Sequence, residues 1–292
     1  MKNFYTLIEL TAAINWLGLA HTDGEICSSS LLSAGQKRLC DRHQINPIVI
    51  PTAAKQTIAA CKQSMKSSKW GCRISRKNTE SKEHAYINAL STAQLVISTE
   101  RICQMGQVKN CNPKVYAQQM ISLEKTKSTL EQKIRRHNVA VGIKKLRQKT
   151  EQKCRCHGQS GACTTKTCWM ESPSPLAIAD ELKAEYDQAV QVKSDKNEEN
   201  LIPIELALLT PFFGERLLFT REEADYCPTT KGRACQINDP TKESHCQNLC
   251  CGRGYITKKF KVEKQGKCAF QWPDKITCAE PTVERRTKFI CL

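Results

Sequence analysis

Four cysteines, a histidine and a serine crowd into one short stretch, Cys154-Arg155-Cys156-His157-Gly158-Gln159-Ser160-Gly161-Ala162-Cys163-Thr164-Thr165-Lys166-Thr167-Cys168-Trp169. Three chemistries compete for it. Cys154, Cys156, His157 and Cys163 could ligate zinc. Ser160 could be a nucleophile with His157 as its base, but the hydrolase elbow needs G-x-S-x-G and here the second glycine comes one residue early. No aspartate is placed nearby to orient His157 either. The third chemistry is oxidative. Nested bonds, Cys154 with Cys168 and Cys156 with Cys163, would pinch the segment into a hairpin, the inner loop alone contributing about 2.5 kcal/mol on the chain-entropy model. Gly158 and Gly161 are expected to supply the positive φ of a tight tip. Ser160 then stands at the apex, either as a modification site or as an ordinary serine on a stapled hairpin.

Cysteine usage and compartment decide among these. The chain has 292 residues and 18 cysteines, an even number; Lys and Arg total 45 against 29 Asp and Glu, a net charge of +16, and only 40% of residues are hydrophobic. Such a chain is no multi-span membrane protein, and thiols this abundant argue against a cytosolic enzyme. Residues 1–20 carry Lys2, an apolar run through Thr11 to Leu19, and small residues in Gly18-Leu19-Ala20, which predict a signal peptide. The alternative is a buried N-terminal helix. Further on, the most apolar run, Leu201 to Leu209, is interrupted by Pro203 and Glu205 and falls far short of the ~20 residues a membrane span needs. No N-glycosylation sequon occurs. The mature chain is expected outside the cell.

The elements that must position the hairpin are mostly helical. Thr52 to Met65 runs without a breaker. Glu83 to Ile102 places Tyr86, Leu90, Ala93 and Ile97 on one apolar face. Gln118 to Lys149 reads as one long basic helix with Leu123, Leu130, Ile134 and Val141 inward and a bend or early end at Gly142. Pro175 to Val190 reads as another helix. Charged residues then open a stretch, 191–215, that reads as a linker. Residues 216–292 hold eight cysteines among short Val/Ile/Phe segments, the pattern of a small β-rich module. The expected class is α+β: a signal peptide at 1–20, a helical N-terminal domain at 21–190 bearing the hairpin 154–168, a linker at 191–215 and a cystine-rich domain at 216–292.

The hairpin motif C-x-C-H-G-x-S-G-x-C-x-x-K-T-C-W resembles the hallmark of the Wnt family, with every fixed position met. Gln36 to Cys40, Lys69-Trp70-Gly71-Cys72, Glu83-His84-Ala85-Tyr86, Arg136-His137-Asn138 and Leu249-Cys250-Cys251-Gly252-Arg253-Gly254-Tyr255 are similar to further motifs of that family. The resemblance implies a secreted, non-catalytic ligand. A hairpin "thumb" and a C-terminal β "finger" would grip the cysteine-rich domain of a Frizzled receptor. Ser160 would carry a palmitoleoyl chain added by the acyltransferase Porcupine. His157, Gly158, Gln159, Ser160 and Gly161 on the thumb, with Phe270 and Trp272 on the finger, would meet the receptor. A low-density-lipoprotein-receptor-related co-receptor is the further partner implied. No metal and no cofactor beyond the acyl chain is expected.

The sequence also departs from the family pattern, and its missing cysteines go in pairs: one bond near Cys103–Cys111 and those of the fingertip, where Lys267 to Asp274 leaves only Cys268 and Cys278. That shortness resembles the divergent insect members of the family. It also sustains an alternative, a secreted antagonist or immune-type regulator that acts without the usual lipid-dependent contact. Alignment with the family pattern implies nine bonds: Cys61–Cys72, Cys103–Cys111, Cys154–Cys168, Cys156–Cys163, Cys227–Cys251, Cys235–Cys246, Cys250–Cys291, Cys268–Cys278 and, completing the set, Cys27–Cys40. Two basic clusters, Lys144, Lys145, Arg147 and Lys149 on the long helix and Lys258, Lys259 and Lys261 near the finger, are expected to face solvent. For a secreted chain the polyanion they meet is heparan sulphate rather than nucleic acid; a merely solvated surface is the alternative.

Overall fold

A computed structural model describes residues 33–43, 49–72, 80–106, 112–122, 128–195, 200–204, 213–221, 225–272 and 275–292. The expected signal peptide lies outside them. The chain divides into two compact units, one built from the residues up to Met65 and from Cys72 to Glu223, the other from Lys66–Gly71 and Ala224–Leu292.

The first unit is organised around one helix. Helices α1 (Ala34–His43), α2 (Val49–Ser64), α3 (Lys82–Gln104), α4 (Pro113–Ser122), α5 (Thr129–Lys149) and α6 (Pro175–Asp187) make up its bulk, and α2, α4, α5 and α6 all pack against α3. Every residue from Glu83 to Thr99 is consequently buried, not the single face that the apolar spacing predicts. Three of the polar residues there bond inside the helix. The hydroxyls of Ser91, Thr92 and Thr99 donate to the carbonyls of Ile87, Asn88 and Leu95 at 2.6, 2.6 and 2.7 Å, which removes most of the cost of dehydrating them. Tyr86 reaches the Ala179 carbonyl of α6 at 3.1 Å and meets Tyr186 edge-on at 5.9 Å.

The expected single helix from Gln118 to Lys149 is two helices, α4 and α5. Ser128 caps α5 by accepting from the Glu131 amide at 3.1 Å, the S-x-x-E arrangement of a capping box. Gly142 does not end α5, which runs on to Lys149. It lets α5 approach α3 so closely that a Cβ there would lie 2.3 Å from the Ala89 carbonyl oxygen. Asn138, one turn before it, forms two bonds of 2.9 Å with the backbone N–H and C=O of Leu218. Beside it the His137 Nε2–H donates to the Arg216 carbonyl at 2.8 Å.

Those two residues anchor a small sheet that corrects the expected linker. β3 (Val190–Ser194) pairs antiparallel with β4 (Leu201–Pro203) and parallel with β5 (Leu218–Phe219). Val190, Val192 and Leu218 bury themselves against Ile134 of α5. The residues read as a tether are therefore partly core.

The second unit has almost no aliphatic core. Strand β6 (Ala234–Cys235), helix α7 (Cys246–Leu249) and the long strands β7 (Tyr255–Lys264) and β10 (Thr282–Cys291) surround Cys235, Cys246, Leu249, Cys250 and Cys291. The disulfides Cys235–Cys246 and Cys250–Cys291 lie side by side, with the Cys235 and Cys250 sulfurs 3.7 Å apart. Residues 66–71 complete this unit. The Arg233 guanidinium donates to the carbonyls of Ser68, Lys69 and Lys66 at 2.6, 2.7 and 3.0 Å, and Trp70 is buried.

Two outcomes follow from α5. Gly142→Ala must separate two packed helices and is expected to cost about 1–3 kcal/mol, read as a lower urea midpoint. Burial holds the His137 pKa below its ordinary value of 6.5. The unfolded chain therefore takes up a proton that the folded chain resists as pH falls below 6.5, and stability should drop over that range. His137→Gln, which can still donate to Arg216, should flatten that part of the pH profile of unfolding.

Candidate functional site

The hairpin of the cysteine cluster is built from β1 (Glu151–Cys156) and β2 (Lys166–Glu171). Their register sets Cys154 directly opposite Cys168, and a disulfide joins them; Cys156–Cys163 closes the tip. Four backbone bonds of 2.7–3.1 Å complete the turn: His157 N–H to Thr165, Gly158 N–H to Ala162, Gly161 N–H to Gly158 and Ala162 N–H to Gln159. Among residues 151–171 only Cys156 and Gly158 are half-buried, and the rest are exposed.

The glycines of the tip do different work from that expected. Gly161 has φ +81°, but Gly158 sits at −68°. Gly158 is needed for space, since a Cβ would lie 2.2 Å from the Ala162 carbonyl oxygen and 2.5 Å from Thr164 Oγ1. The second left-handed residue is Ser160 itself, at φ 56° and ψ 26°. A non-glycine residue there costs roughly 1–2 kcal/mol. The nested disulfides hold it in place and leave its side chain at the exposed apex.

The competing chemistries lose their parts. Cys154, Cys156 and Cys163, weighed as zinc ligands, stand in disulfides. The His157 ring is turned across the hairpin to Thr167 Oγ1, 3.0 Å away, so it is spent on joining the strands.

Seven disulfides lie among the described residues: Cys61–Cys72, Cys154–Cys168, Cys156–Cys163, Cys227–Cys251, Cys235–Cys246, Cys250–Cys291 and Cys268–Cys278. All are pairs that the family pattern implies. Cys103 is disulfide-bonded; Cys111 and Cys27 lie outside the described residues, and with them the implied pairs Cys103–Cys111 and Cys27–Cys40. The finger consists of the β7–β10 ribbon and, beyond it, the short hairpin of β8 (Cys268–Gln271) and β9 (Lys275–Cys278). Phe270 and Trp272 are exposed there, at 63% and 88%.

The basic clusters part company. On α5, Lys145 does not face solvent; it is buried and pairs with Glu185 at 2.6 Å. Lys144 pairs with Glu215 at 2.6 Å and Lys149 with Glu181 at 2.9 Å, which leaves Arg147 exposed beside them. The acidic face of α6 claims Lys145 and Lys149, and Glu215 claims Lys144; sequence spacing within α5 gives no sign of either. The ribbon is the reverse case. Lys258 faces Lys288 and Lys261 faces Arg285 across the strands, with no carboxylate paired to any of the four among the described residues. Arg285 and Lys288 were missed by sequence reading because only the register brings them beside β7.

A helical unit presenting a serine on a double-stapled hairpin, with a cystine-centred β unit carrying a second hairpin, defines a disulfide-built α+β protein of two units. The chain belongs to the Wnt family: the family model matches residues 28–120 and 114–292. Among its relatives, human protein Wnt-9b is 28% identical over 96% of this chain and 88% of its own length. Protein Wnt-11b of Xenopus laevis is 28% identical over 97% and 95%. A solved structure, human WLS in complex with WNT8A, matches with TM-score 0.61 and 23% identity over 85% of this chain and 96% of that one; it shares the fold. No helix of the described residues is long and apolar enough to cross a membrane.

Because ribbon cations repel one another, a polyanion should bind there first. Lys259→Glu with Lys261→Glu and Arg285→Glu is expected to lower the salt needed for elution from heparin, with the urea midpoint unchanged. Lys145→Glu should instead lose folded protein, since it leaves Glu185 facing a like charge; breaking such a pair costs about 3 kcal/mol.

Proposed function

We propose that this chain is secreted and signals by binding the cysteine-rich domain of a Frizzled receptor through the thumb, with a palmitoleoyl chain on Ser160 as the principal contact. The observation that supports this reading is the apex: an exposed serine in a left-handed conformation, held by two nested disulfides and clear of any core. An acyltransferase can reach such a hydroxyl, and the hairpin's tip, residues 157–167, carries no large apolar side chain of its own. A buried fatty chain, at ~0.8 kcal/mol per CH₂, adds on the order of 10 kcal/mol gross. A low-density-lipoprotein-receptor-related co-receptor and heparan sulphate are the further partners of this reading.

Mass spectrometry of the Cys156–Cys163 peptide from Porcupine-competent cells tests it. The expected result is an acyl adduct on Ser160, and a Ser160→Ala protein that is secreted and folded but binds Frizzled at least a hundredfold more weakly. Unmodified Ser160 together with undiminished receptor binding by the Ser160→Ala protein would refute the lipid mechanism. Unmodified Ser160 with no receptor binding at all would select the antagonist reading.

A further inference from the structure

The second unit gathers the sulfurs of two different disulfides into one buried cluster. Cys235 is bonded to Cys246 and Cys250 to Cys291, but the Cys235 and Cys250 sulfurs are 3.7 Å apart. Those of Cys235, Cys250 and Cys291 all lie within 4.8 Å of one another. Backbone pairing produces this closeness. Strand β10 sets Phe289 opposite Cys235 and Ile290 opposite Ala234 on β6, and the Cys291 amide donates to the Arg233 carbonyl at 2.9 Å. Helix α7, which begins at Cys246 and is capped by Cys250, packs on β10. The thumb is a useful contrast: its two bonds are nested in sequence, but no three of their sulfurs gather in this way.

Disulfides exchange when a thiolate attacks a disulfide sulfur through a mixed disulfide. Opening one bond of this cluster creates that thiolate beside the other. A small thiolate that attacks Cys291 forms a mixed disulfide there and expels the Cys250 thiolate. Cys250 then attacks Cys235, its neighbour at 3.7 Å, which makes Cys235–Cys250 and expels the Cys246 thiolate. Cys246 finally attacks Cys291 in the mixed disulfide, makes Cys246–Cys291 and returns the small thiolate. Both original bonds have been replaced, no electrons have been gained or lost, and the thiol is a catalyst. Solvent access favours this entry. Cys291 is 3% exposed and Cys250 is 0% exposed, so the incoming group meets Cys291 and the group it expels is the one nearest Cys235.

We infer that Cys235, Cys246, Cys250 and Cys291 form an exchange centre with two fully bonded states, interconverted by a thiol catalyst. One state is the pairing described above; the other joins Cys235 to Cys250 and Cys246 to Cys291. In the second state the end of β10 is tied to the first residue of α7 instead of to its cap, so the root of the β7–β10 ribbon is re-seated. The centre also gives a wrongly paired second unit a way to correct itself without a fresh oxidant. None of this depends on acylation of Ser160 or on the receptor reading of the thumb.

Locating the odd thiol in single variants of the full-length protein tests this, with alkylation in native buffer and mapping of peptides cut after Leu249. Cys291→Ser strands Cys250, and the label is expected to shift from Cys250 to Cys246, with a new Cys235–Cys250 bond. Cys246→Ser strands Cys235, and the label is expected to shift to Cys291 with the same new bond. Cys72→Ser strands Cys61, which belongs to no such cluster, and there the label should stay on Cys61. Label confined to Cys250 in the first variant and to Cys235 in the second would overturn the inference. Should neither variant fold, the parent protein decides in a buffer of reduced and oxidised glutathione. The expected product is protein without free thiols that yields Cys235–Cys250 and Cys246–Cys291 peptides. A Cys250–Cys291 bond that opens while Cys235–Cys246 stays intact would overturn the inference equally.

Discussion

The second unit is held together by sulfur where other small domains use carbon. Among the described residues, two disulfides in contact, with Leu249 and the half-buried Phe289 beside them, form the cluster at its centre. A chain with 40% hydrophobic residues spends most of its apolar side chains around α3 in the first unit and leaves little for the second. Covalent closure makes up the difference by limiting the unfolded chain rather than by adding contacts. Both projecting hairpins follow from the same substitution. Neither the thumb nor the outermost finger hairpin packs against a core, so each keeps its shape through a bond between directly opposed cysteines, Cys154–Cys168 in one and Cys268–Cys278 in the other.

That economy frees the hairpin surfaces for chemistry a core-backed surface could not present. Ser160 can sit in a left-handed conformation at an exposed apex because the nested bonds, not burial, fix the turn. Phe270, Trp272 and Ile276 can remain in water because they have no interior to return to. In the first unit the opposite holds: Ser91, Thr92 and Thr99 are polar residues forced inside, and they are accommodated by their own helix.

Much of this was legible in the sequence wherever local chemistry decides. The C-x-C-H-G-x-S-G motif carries its hairpin, its nested pairing and its apical serine in consecutive residues, and α2, α3 and α6 announce themselves by apolar spacing without breakers. What the sequence hid depends on distant partners. The β3–β5 pairing joins Val190 to Leu218 across charged residues that look like a tether. Gly142 reads as a breaker until α3 is placed against it. Lys145 reads as a solvated cation until Glu185 arrives from α6. Arg285 and Lys288 mean little until β10 is laid beside β7. In each case the missing information is a tertiary neighbour, and no period or composition encodes it.

Arg233 bears on the order in which the chain can finish folding. Its three acceptors, the carbonyls of Lys66, Ser68 and Lys69, are 164 to 167 residues earlier in the sequence. During synthesis those carbonyls are made long before the guanidinium that will satisfy them. The Cys61–Cys72 bond, which spans only 11 residues, can form early and keep the intervening loop pinched in readiness. The last part of the chain then closes on a piece of the first, so a nascent molecule stalled anywhere before Arg233 leaves that loop with its carbonyls turned to water. A quality-control system that recognises unfinished surfaces would have, in this loop, a marker for chains not yet complete.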